Sequence, residues 1–207
     1  MIILIDKPKG ITSFDVIRRL RITRGIKKMG HAGTLDPMAT GLMIIATDAD
    51  TKKLSDFLGL PKTYEAEITL GIRTDTSDMD GKVIEEKKVP LDLQKEQVVS
   101  VLQSLVGDTE LPVSLYSALK RAGKPLYEYA REGKMVEAPI RIMHVDSVAF
   151  DGFDGLRIRA VFAVGSGTYI RSLAEEVGRR LGTVATLSAL RRTNIGDFKL
   201  SDAEVLE

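Results

Sequence analysis

The chain is organised around one segment, Lys28-Met-Gly-His-Ala-Gly-Thr-Leu-Asp-Pro-Met-Ala-Thr-Gly-Leu42, which holds three glycines, one of the two histidines and a single carboxylate. Glycine permits close backbone approach, and Pro37 directs the residue before it, Asp36, towards an extended conformation. The apolar run 41–46 that follows is typical of a buried strand. We therefore expect a shaped loop that holds Asp36 in one orientation.

Two interpretations of Asp36 follow from these neighbours. A carboxylate on a rigid loop beside a buried strand can serve as a nucleophile or a base. Asp next to proline and glycine is more often a turn or capping residue, and the spacing alone favours this second interpretation.

Composition limits the class of protein. The 207 residues suit one large domain or one domain with a sizeable insertion, and 43% hydrophobic residues are enough for a core. The absence of cysteine excludes disulfides and thiolate metal sites, and two distant histidines argue against zinc. No apolar run is long enough to span a membrane. We predict a soluble, cytoplasmic protein.

The distribution of charge is more informative than its sum, since 30 basic and 29 acidic residues give a net charge of +1. A helix is predicted from Asp15 to about Ile26, and its outer face is basic. The basic residues of this stretch are Arg18, Arg19, Arg21, Arg24, Lys27 and Lys28. A solvated helix face usually mixes signs, so this cluster favours an anionic partner such as nucleic acid.

The remaining patterns predict a mixed α/β domain. Strands are expected at 1–5 and 62–70, and an antiparallel pair at 141–150 and 155–164. A helix is expected at 170–181, with Arg171 in its first turn. Acids are usual there, so Arg171 indicates a specific anionic partner, although exposure to solvent is the commoner explanation.

Residues 110–134 combine tyrosines with basic side chains, including Tyr116, Tyr127, Lys120 and Lys124, and are interrupted by glycine and proline. This mixture suits an insertion that contacts RNA through phosphate charge and base stacking. An ordinary helix from Leu126 to Glu132 with inward-packed tyrosines is the alternative, and both can hold at once.

Taken together, these segments resemble the tRNA pseudouridine-55 synthase family, the TruB-like, bacterial-type branch of the pseudouridine synthases. The matching motifs are Asp6-Lys-Pro-Lys-Gly-Ile-Thr-Ser13, Gly30-His-Ala-Gly-Thr-Leu-Asp-Pro37, Lys62-Thr-Tyr64, Leu70-Gly-Ile-Arg-Thr-Asp-Thr-Ser-Asp78, Tyr116-Ser-Ala-Leu-Lys120, Leu126-Tyr-Glu-Tyr-Ala-Arg131, Gly167-Thr-Tyr-Ile-Arg-Ser172 and Leu190-Arg-Arg192. They are collinear over almost the whole chain. The resemblance implies one pseudouridine synthase catalytic domain over residues 1–207, an α+β fold with a predominantly antiparallel mixed sheet, and a thumb insertion at about 110–139.

The resemblance also implies the reaction. One uridine of the tRNA T-arm loop is flipped out of its stack and isomerised: its glycosidic bond breaks, uracil rotates, and a carbon–carbon bond forms through C5. Asp36 matches the essential aspartate. Three roles for this aspartate remain alternatives: it attacks the base, attacks the ribose, or removes a ribose proton. Arg171 matches the arginine paired with it, which would lower its pKa. Tyr64 matches a tyrosine that stacks on the base near C5.

Further residues correspond to substrate contacts. His31 matches a histidine inserted into the tRNA loop, Leu190 and Tyr169 match base-pocket residues, and Asp78 matches a pocket carboxylate. The remaining candidate substrate-binding residues are Lys7, Arg18, Arg19, Lys120 and Lys124. No cofactor or metal is implied, the partner is tRNA, and a monomer is expected.

One feature departs from the family pattern, because bacterial relatives typically continue into a C-terminal PUA domain that is not evident here. The chain would then be a naturally short member or the catalytic part of a longer protein. Two rival functions remain: a non-catalytic RNA-binding or chaperone protein acting on the T-arm, and a guide-RNA-dependent synthase, which the thumb-like insertion disfavours. Only an enzyme needs Asp36.

Overall fold

A computed structural model of the chain describes residues 1–117, 119–132 and 136–206. The strands are β1 Ile2–Lys7, β2 Met29–Ala32, β3 Thr40–Thr47, β4 Lys62–Leu70, β5 Ile72–Thr74, β6 Val83–Glu86, β7 Gly107–Pro112, β8 Lys120–Arg121, β9 Lys124–Pro125, β10 Ile140–Phe153, β11 Arg157–Val164, β12 Ala185–Ile195, β13 Phe198–Lys199 and β14 Glu204–Val205. The helices are α1 Ser13–Arg24, α2 Leu54–Leu58, α3 Lys95–Gln103, α4 Leu126–Arg131 and α5 Ile170–Arg180, with 3-10 turns at Asp48–Lys53 and Leu200–Asp202.

One large sheet carries the fold. Its strand order is β14-β1-β3-β12-β4-β11-β10-β7, with β2 added to β3 and β13 added to β12. The β1–β14 and β3–β12 pairs are parallel, and the others are antiparallel. The predicted fold class, a mixed and predominantly antiparallel sheet with helices, is confirmed.

Of the two buried hydrophobic clusters among the described residues, the larger lies on the face of this sheet that α5 covers. β4 alternates as the sequence predicts, with Ile68 fully buried and flanked by Ile158 and Leu187 of the two neighbouring strands. α5 packs directly against β12 and has eight buried residues out of eleven. Burying each large aliphatic side chain contributes about 1.5–3 kcal/mol, so this layer contributes much of the free energy that holds α5 against the sheet.

The predicted α1 exists, with local signals that set both ends. Thr12 forms a capping box with Asp15, and Gly25 ends the helix in the left-handed conformation at a φ of 67°. The Thr12 side-chain oxygen accepts a hydrogen bond from the Asp15 N–H at 3.1 Å. The helix therefore ends at Arg24, two residues before the predicted Ile26.

The central strand β12 is missing from the sequence prediction. Its pairing with β4 is interrupted by register shifts at Leu187/Ala189 and at Arg192/Asn194, and it carries two consecutive arginines. Both features break the alternation by which a strand is recognised. The expected 28–42 loop likewise contains the short strand β2, paired with β3.

The segment 113–139 leaves the sheet at the end of β7 and returns in β10, where Pro112 pairs with Ile140. It contains the two-stranded ribbon β8–β9 and helix α4, which begins at Leu126 as the alternative interpretation predicts. Ala118 and residues 133–135 of the expected thumb lie outside the described residues. Among the helices in the described ranges, none has both the length and the apolar character that crossing a bilayer requires.

Candidate active site

The loop between β2 and β3 places Asp36 at the edge of the sheet. The Leu35 N–H donates to Ser13 Oγ at 2.9 Å, and that hydroxyl donates back to the Leu35 carbonyl at 3.0 Å. On the other side, the Gly10 N–H donates to the Pro37 carbonyl at 2.8 Å. Both neighbours of Asp36 are thus anchored to the start of α1 and the turn before it, which confirms the expected shaped loop.

Lys7 reinforces this anchoring from inside the protein. Its Nζ donates to the carbonyls of Ile11 at 2.7 Å, Pro8 at 3.0 Å and Pro37 at 3.3 Å, and the residue is 0% exposed. Burial lowers the pKa of Lys7 to about 8, with the charge of Asp36 opposing that shift. Lys7 is predicted to contact substrate; in this structure its three hydrogen bonds are internal and hold the Asp36 loop.

Arg171 joins α5 to the Asp36 loop. Its Nε lies 3.1 Å from Asp36 Oδ2, and its side chain is 6% exposed. Nη1 donates to the Thr76 carbonyl at 2.8 Å and Nη2 to the Tyr116 carbonyl at 3.0 Å. The guanidinium therefore fixes Asp36 relative to two other segments, and the anionic partner predicted for Arg171 is present.

Asp78 is the second carboxylate at Arg171. Its Oδ2 lies 3.5 Å from Nη1, and the residue is 4% exposed. Its other oxygen, Oδ1, accepts from Thr76 Oγ1 at 2.7 Å and from the Asp80 N–H at 3.1 Å.

In residues 1–117, 119–132 and 136–206, no group of three His, Asp or Glu side chains is arranged to hold a metal ion.

Burial dominates the electrostatics of Asp36. It raises the pKa of the carboxyl above its ordinary value, the charge of Arg171 acts in the opposite direction, and the charge of Asp78 raises the pKa further. The expectation that Arg171 lowers the pKa holds for that contact but is wrong for the net direction, because desolvation is the larger effect. The Asp36 side chain nevertheless keeps 35% exposure, so a ligand can reach it.

Tyr64 and Leu190 lie on adjacent central strands with 9% exposure each. Tyr64 pairs with Arg192, and Leu190 pairs with Ala66. The Leu190 carbonyl accepts from Thr40 Oγ1 at 3.4 Å, at the point where the Asp36 loop enters β3. Tyr169 is the N-cap of α5, two residues before Arg171, and is partly buried against the core.

His31 lies on β2 opposite Ile45, at the start of the Asp36 loop. Its Nε2 is 3.2 Å from Thr34 Oγ1, and the ring is partly buried. Burial and then the charge of Arg192 lower the pKa of His31 below 6.5. The imidazole is therefore mostly neutral at pH 7.

Arg192 is a structural contributor that the sequence patterns did not reveal. It is 1% exposed, its Nε donates to the Leu42 carbonyl at 2.8 Å, and its Nη2 donates to the Gly33 carbonyl at 2.9 Å. It therefore spans both ends of the Asp36 loop. A Cβ at Gly41 would lie 2.3 Å from the Arg192 carbonyl oxygen, so this approach requires glycine. The sequence signal that could have indicated a buried role for Arg192 is the pair of consecutive arginines beside apolar residues.

Two of the basic side chains predicted to bind phosphate have partners within the chain. Arg18 forms an ion pair with Asp15 on the exposed surface of α1. Lys124 pairs with Glu132, lies 3.9 Å from Glu128 and sits above the Tyr129 ring. Arg19 and Lys120 are exposed. The latter two side chains form no ion pair with any residue that the structure describes.

Comparison with known proteins identifies the family. Residues 20–170 match the family model described as TruB family pseudouridylate synthase (N terminal domain). The chain belongs to the TruB family. It is 43% identical to tRNA pseudouridine synthase B of Dechloromonas aromatica, a match that covers 99% of this chain and 68% of that protein. The same enzyme of Geobacillus thermodenitrificans is 41% identical, with 100% and 70% covered.

Solved structures share the fold of this chain. A chain of a Cbf5–Nop10–Gar1 complex superimposes with a TM-score of 0.77 at 27% identity, covering 99% of this chain and 52% of that one. A chain of an H/ACA RNP bound to a substrate RNA gives a TM-score of 0.74 at 25% identity, with 99% and 50% covered. This TruB-family chain thus spans about two thirds of the relatives named above and about half of these solved chains.

Proposed function

We propose that this TruB-family chain isomerises uridine 55 in the T-arm loop of tRNA to pseudouridine, with Asp36 as the essential carboxylate. The observation that carries the proposal is the Arg171–Asp36 pair at 3.1 Å, in which the arginine is buried and the carboxylate remains accessible. The names of the 40–43% identical relatives support tRNA as the substrate.

The reaction is an isomerisation, so every atom of the substrate is retained. The bond between N1 and the ribose breaks, uracil turns, C5 bonds to the ribose, and the C5 proton moves to another position. Asp36 could attack the base, attack the ribose, or take a ribose proton, and each role needs its ionised form. Tyr64 would lie near C5 and assist the proton transfer.

The other residues would receive the flipped nucleotide. A base stacked inside a folded RNA loop cannot be reached by a carboxylate fixed on the enzyme, so the base must leave its stack. In this proposal the neutral His31 ring enters the tRNA loop, Leu190 and Tyr169 line the base pocket, and Asp78 orients Arg171. The predicted monomeric state and cytoplasmic location stay predictions, as does the single-domain description with its thumb.

The decisive experiment is mapping of pseudouridine in an unmodified T-arm stem-loop incubated with this chain alone. Pseudouridine at the T-loop position is the expected result. If none forms, full-length tRNA is the second substrate. Binding without product on both RNAs would contradict the proposal and favour a non-catalytic RNA-binding protein.

A guide-RNA-dependent synthase is the second candidate, because the chain superimposes on a Cbf5 chain with a TM-score of 0.77. The absence of any guide RNA from the assay separates the two candidates. Turnover under those conditions would exclude the guide-dependent function.

The turnover rate is expected to fall at low pH, and the midpoint of this fall, the acid limb of the pH–rate profile, should lie above pH 3.8. This value is the ordinary pKa of an aspartate, and burial raises the pKa of Asp36 above it. As the pH falls through that raised pKa, Asp36 takes up a proton and the active ionised form disappears. Single-turnover rates across the acidic range give the limb, and circular dichroism at each pH is the control for folding. A limb at or below 3.8 would show that ionisation of Asp36 is not what the rate follows.

Salt dependence should separate the unpaired basic side chains from the paired ones. Arg19→Gln and Lys120→Gln are each expected to weaken tRNA binding and to reduce the log–log salt slope by about 0.7–0.9, the value for one lost phosphate contact. Lys124→Gln is the matched control and should change the slope less, because Glu132 already neutralises Lys124. Fluorescence anisotropy over a series of salt concentrations measures the slopes. Equal slopes in all four proteins, parent included, would place these residues away from the RNA.

A further inference from the structure

Ser77 has an unusual backbone conformation beside the Arg171 guanidinium. Its φ is 65°, in the left-handed region that residues with a Cβ rarely adopt, and it is 5% exposed. Its two neighbours both hold Arg171. The Thr76 carbonyl accepts from Nη1 at 2.8 Å, and Asp78 Oδ2 lies 3.5 Å from the same nitrogen. The conformation of Ser77 therefore sets the direction of both groups.

Contacts from two elements hold Ser77 in this conformation. From β12, the Leu187 N–H donates to the Ser77 carbonyl at 3.2 Å, and the Leu187 carbonyl accepts from the Met79 N–H at 3.1 Å. From α5, Glu175 Oε1 accepts from Ser77 Oγ at 3.0 Å. The strand thus fixes the backbone of the turn, and Glu175 fixes the side chain.

Glu175 is suited to this role by its place on α5. It lies four residues after Arg171, so the two side chains share one face of the helix. Burial raises the pKa of Glu175, while the Ser77 hydrogen bond and the charges of Arg73 and Arg171 act in the opposite direction. Among the described residues no lysine or arginine forms an ion pair with it, so the Ser77 hydroxyl is its bonded partner.

We propose that Glu175 is a positioning residue: through Ser77 it holds the turn at residues 76–78, and through that turn it holds Arg171 against Asp36. Its catalytic consequence rests on the proposed function, whereas its effect on the turn does not. Glu175 itself makes no contact with Asp36 in this arrangement, so its influence on turnover passes through Arg171.

Replacement of Glu175 by alanine tests the catalytic consequence. The expected result is a fall in kcat of about tenfold with little change in KM. A modest misplacement of Arg171 disturbs the orientation of Asp36 more than it weakens substrate binding. The acid limb of kcat should move to higher pH, since Arg171 no longer counteracts the desolvation of Asp36 as fully. Glu175→Gln retains an oxygen that accepts from Ser77 and should restore most of kcat.

Glu176 offers a matched control on the same helix. It is 6% exposed, and its oxygens lie 2.6 Å from Arg179 and 2.7 Å from Arg180, away from the turn. Glu176→Ala should lower the midpoint of thermal unfolding without changing kcat or the acid limb. Equal losses of kcat in Glu175→Ala and Glu176→Ala would reduce Glu175 to a general stabilising residue and overturn the inference.

Amide hydrogen exchange tests the turn independently of the reaction. Exchange at Met79 and Leu187 should accelerate in Glu175→Ala and stay at the parent rate in Glu176→Ala. If the parent forms no pseudouridine, the proposed function fails, and this exchange still decides whether Glu175 holds the turn. If the parent is active while Glu175→Ala changes neither exchange nor kcat, the positioning role is wrong and the proposed function stands.

Discussion

Replacement of Asp36 by asparagine is expected to abolish turnover, on the order of 10⁴-fold or more, while tRNA binding stays close to that of the parent. The change preserves the shape of the side chain and removes the charge that every candidate role of Asp36 requires. The loop itself should survive, because its anchors are the backbone contacts to Ser13 and Gly10 and the buried Lys7 ammonium. Single-turnover assays and anisotropy with the same RNA measure the two effects separately.

Asp80→Asn is the matched control for this experiment. Asp80 is an exposed carboxylate close enough for its charge to raise the pKa of Asp36. Its neutralisation should leave turnover near the parent value and lower the acid limb slightly. Undiminished turnover by the Asp36→Asn protein would remove Asp36 from the mechanism, whatever the behaviour of Asp80→Asn.

Replacement of Arg171 by lysine is expected to lower kcat by roughly 10²–10³-fold even though the positive charge is kept. The guanidinium reaches Asp36 at 3.1 Å, the Thr76 carbonyl at 2.8 Å and the Tyr116 carbonyl at 3.0 Å with three different nitrogens. A single ammonium cannot span acceptors on three segments, so Asp36 loses its fixed orientation.

Arg171→Met should also destabilise the protein, by up to about 3–5 kcal/mol, because it leaves the carboxylate of Asp78 buried without its cation. Asp36 contributes less than Asp78 to this loss of stability, because the Asp36 side chain is partly exposed to solvent. Urea unfolding measures the effect. Arg191→Met is the control, since Arg191 pairs with Asp6 at 2.7 Å but is 39% exposed and should cost less than about 1 kcal/mol. Arg171→Lys turnover within threefold of the parent would contradict the proposed role of Arg171.

Much of the fold could be predicted because its signals are local. The alternation of residues 62–70, the Thr12 cap and the apolar run 41–46 each determine an element from neighbouring residues alone. β12 could not be predicted, because its bulges and its arginines hide an alternation that only pairing with β4 defines.

The sequence by itself determined the family, the loop that presents Asp36, and the candidates Asp36, Arg171, Tyr64 and His31, because motifs and periodicity are properties of the chain. Only the tertiary structure decided which charges are buried and what they contact. Asp36 and Arg171 are 135 positions apart, and their pairing depends on where α5 packs on the sheet. Packing buries Lys7 where its ammonium holds the Asp36 loop, and burial raises the pKa of Asp36 despite Arg171. The packing of α5 also brings Glu175 within hydrogen-bond distance of Ser77. Desolvation and long-range contact arise from packing, and no local pattern of residues encodes them.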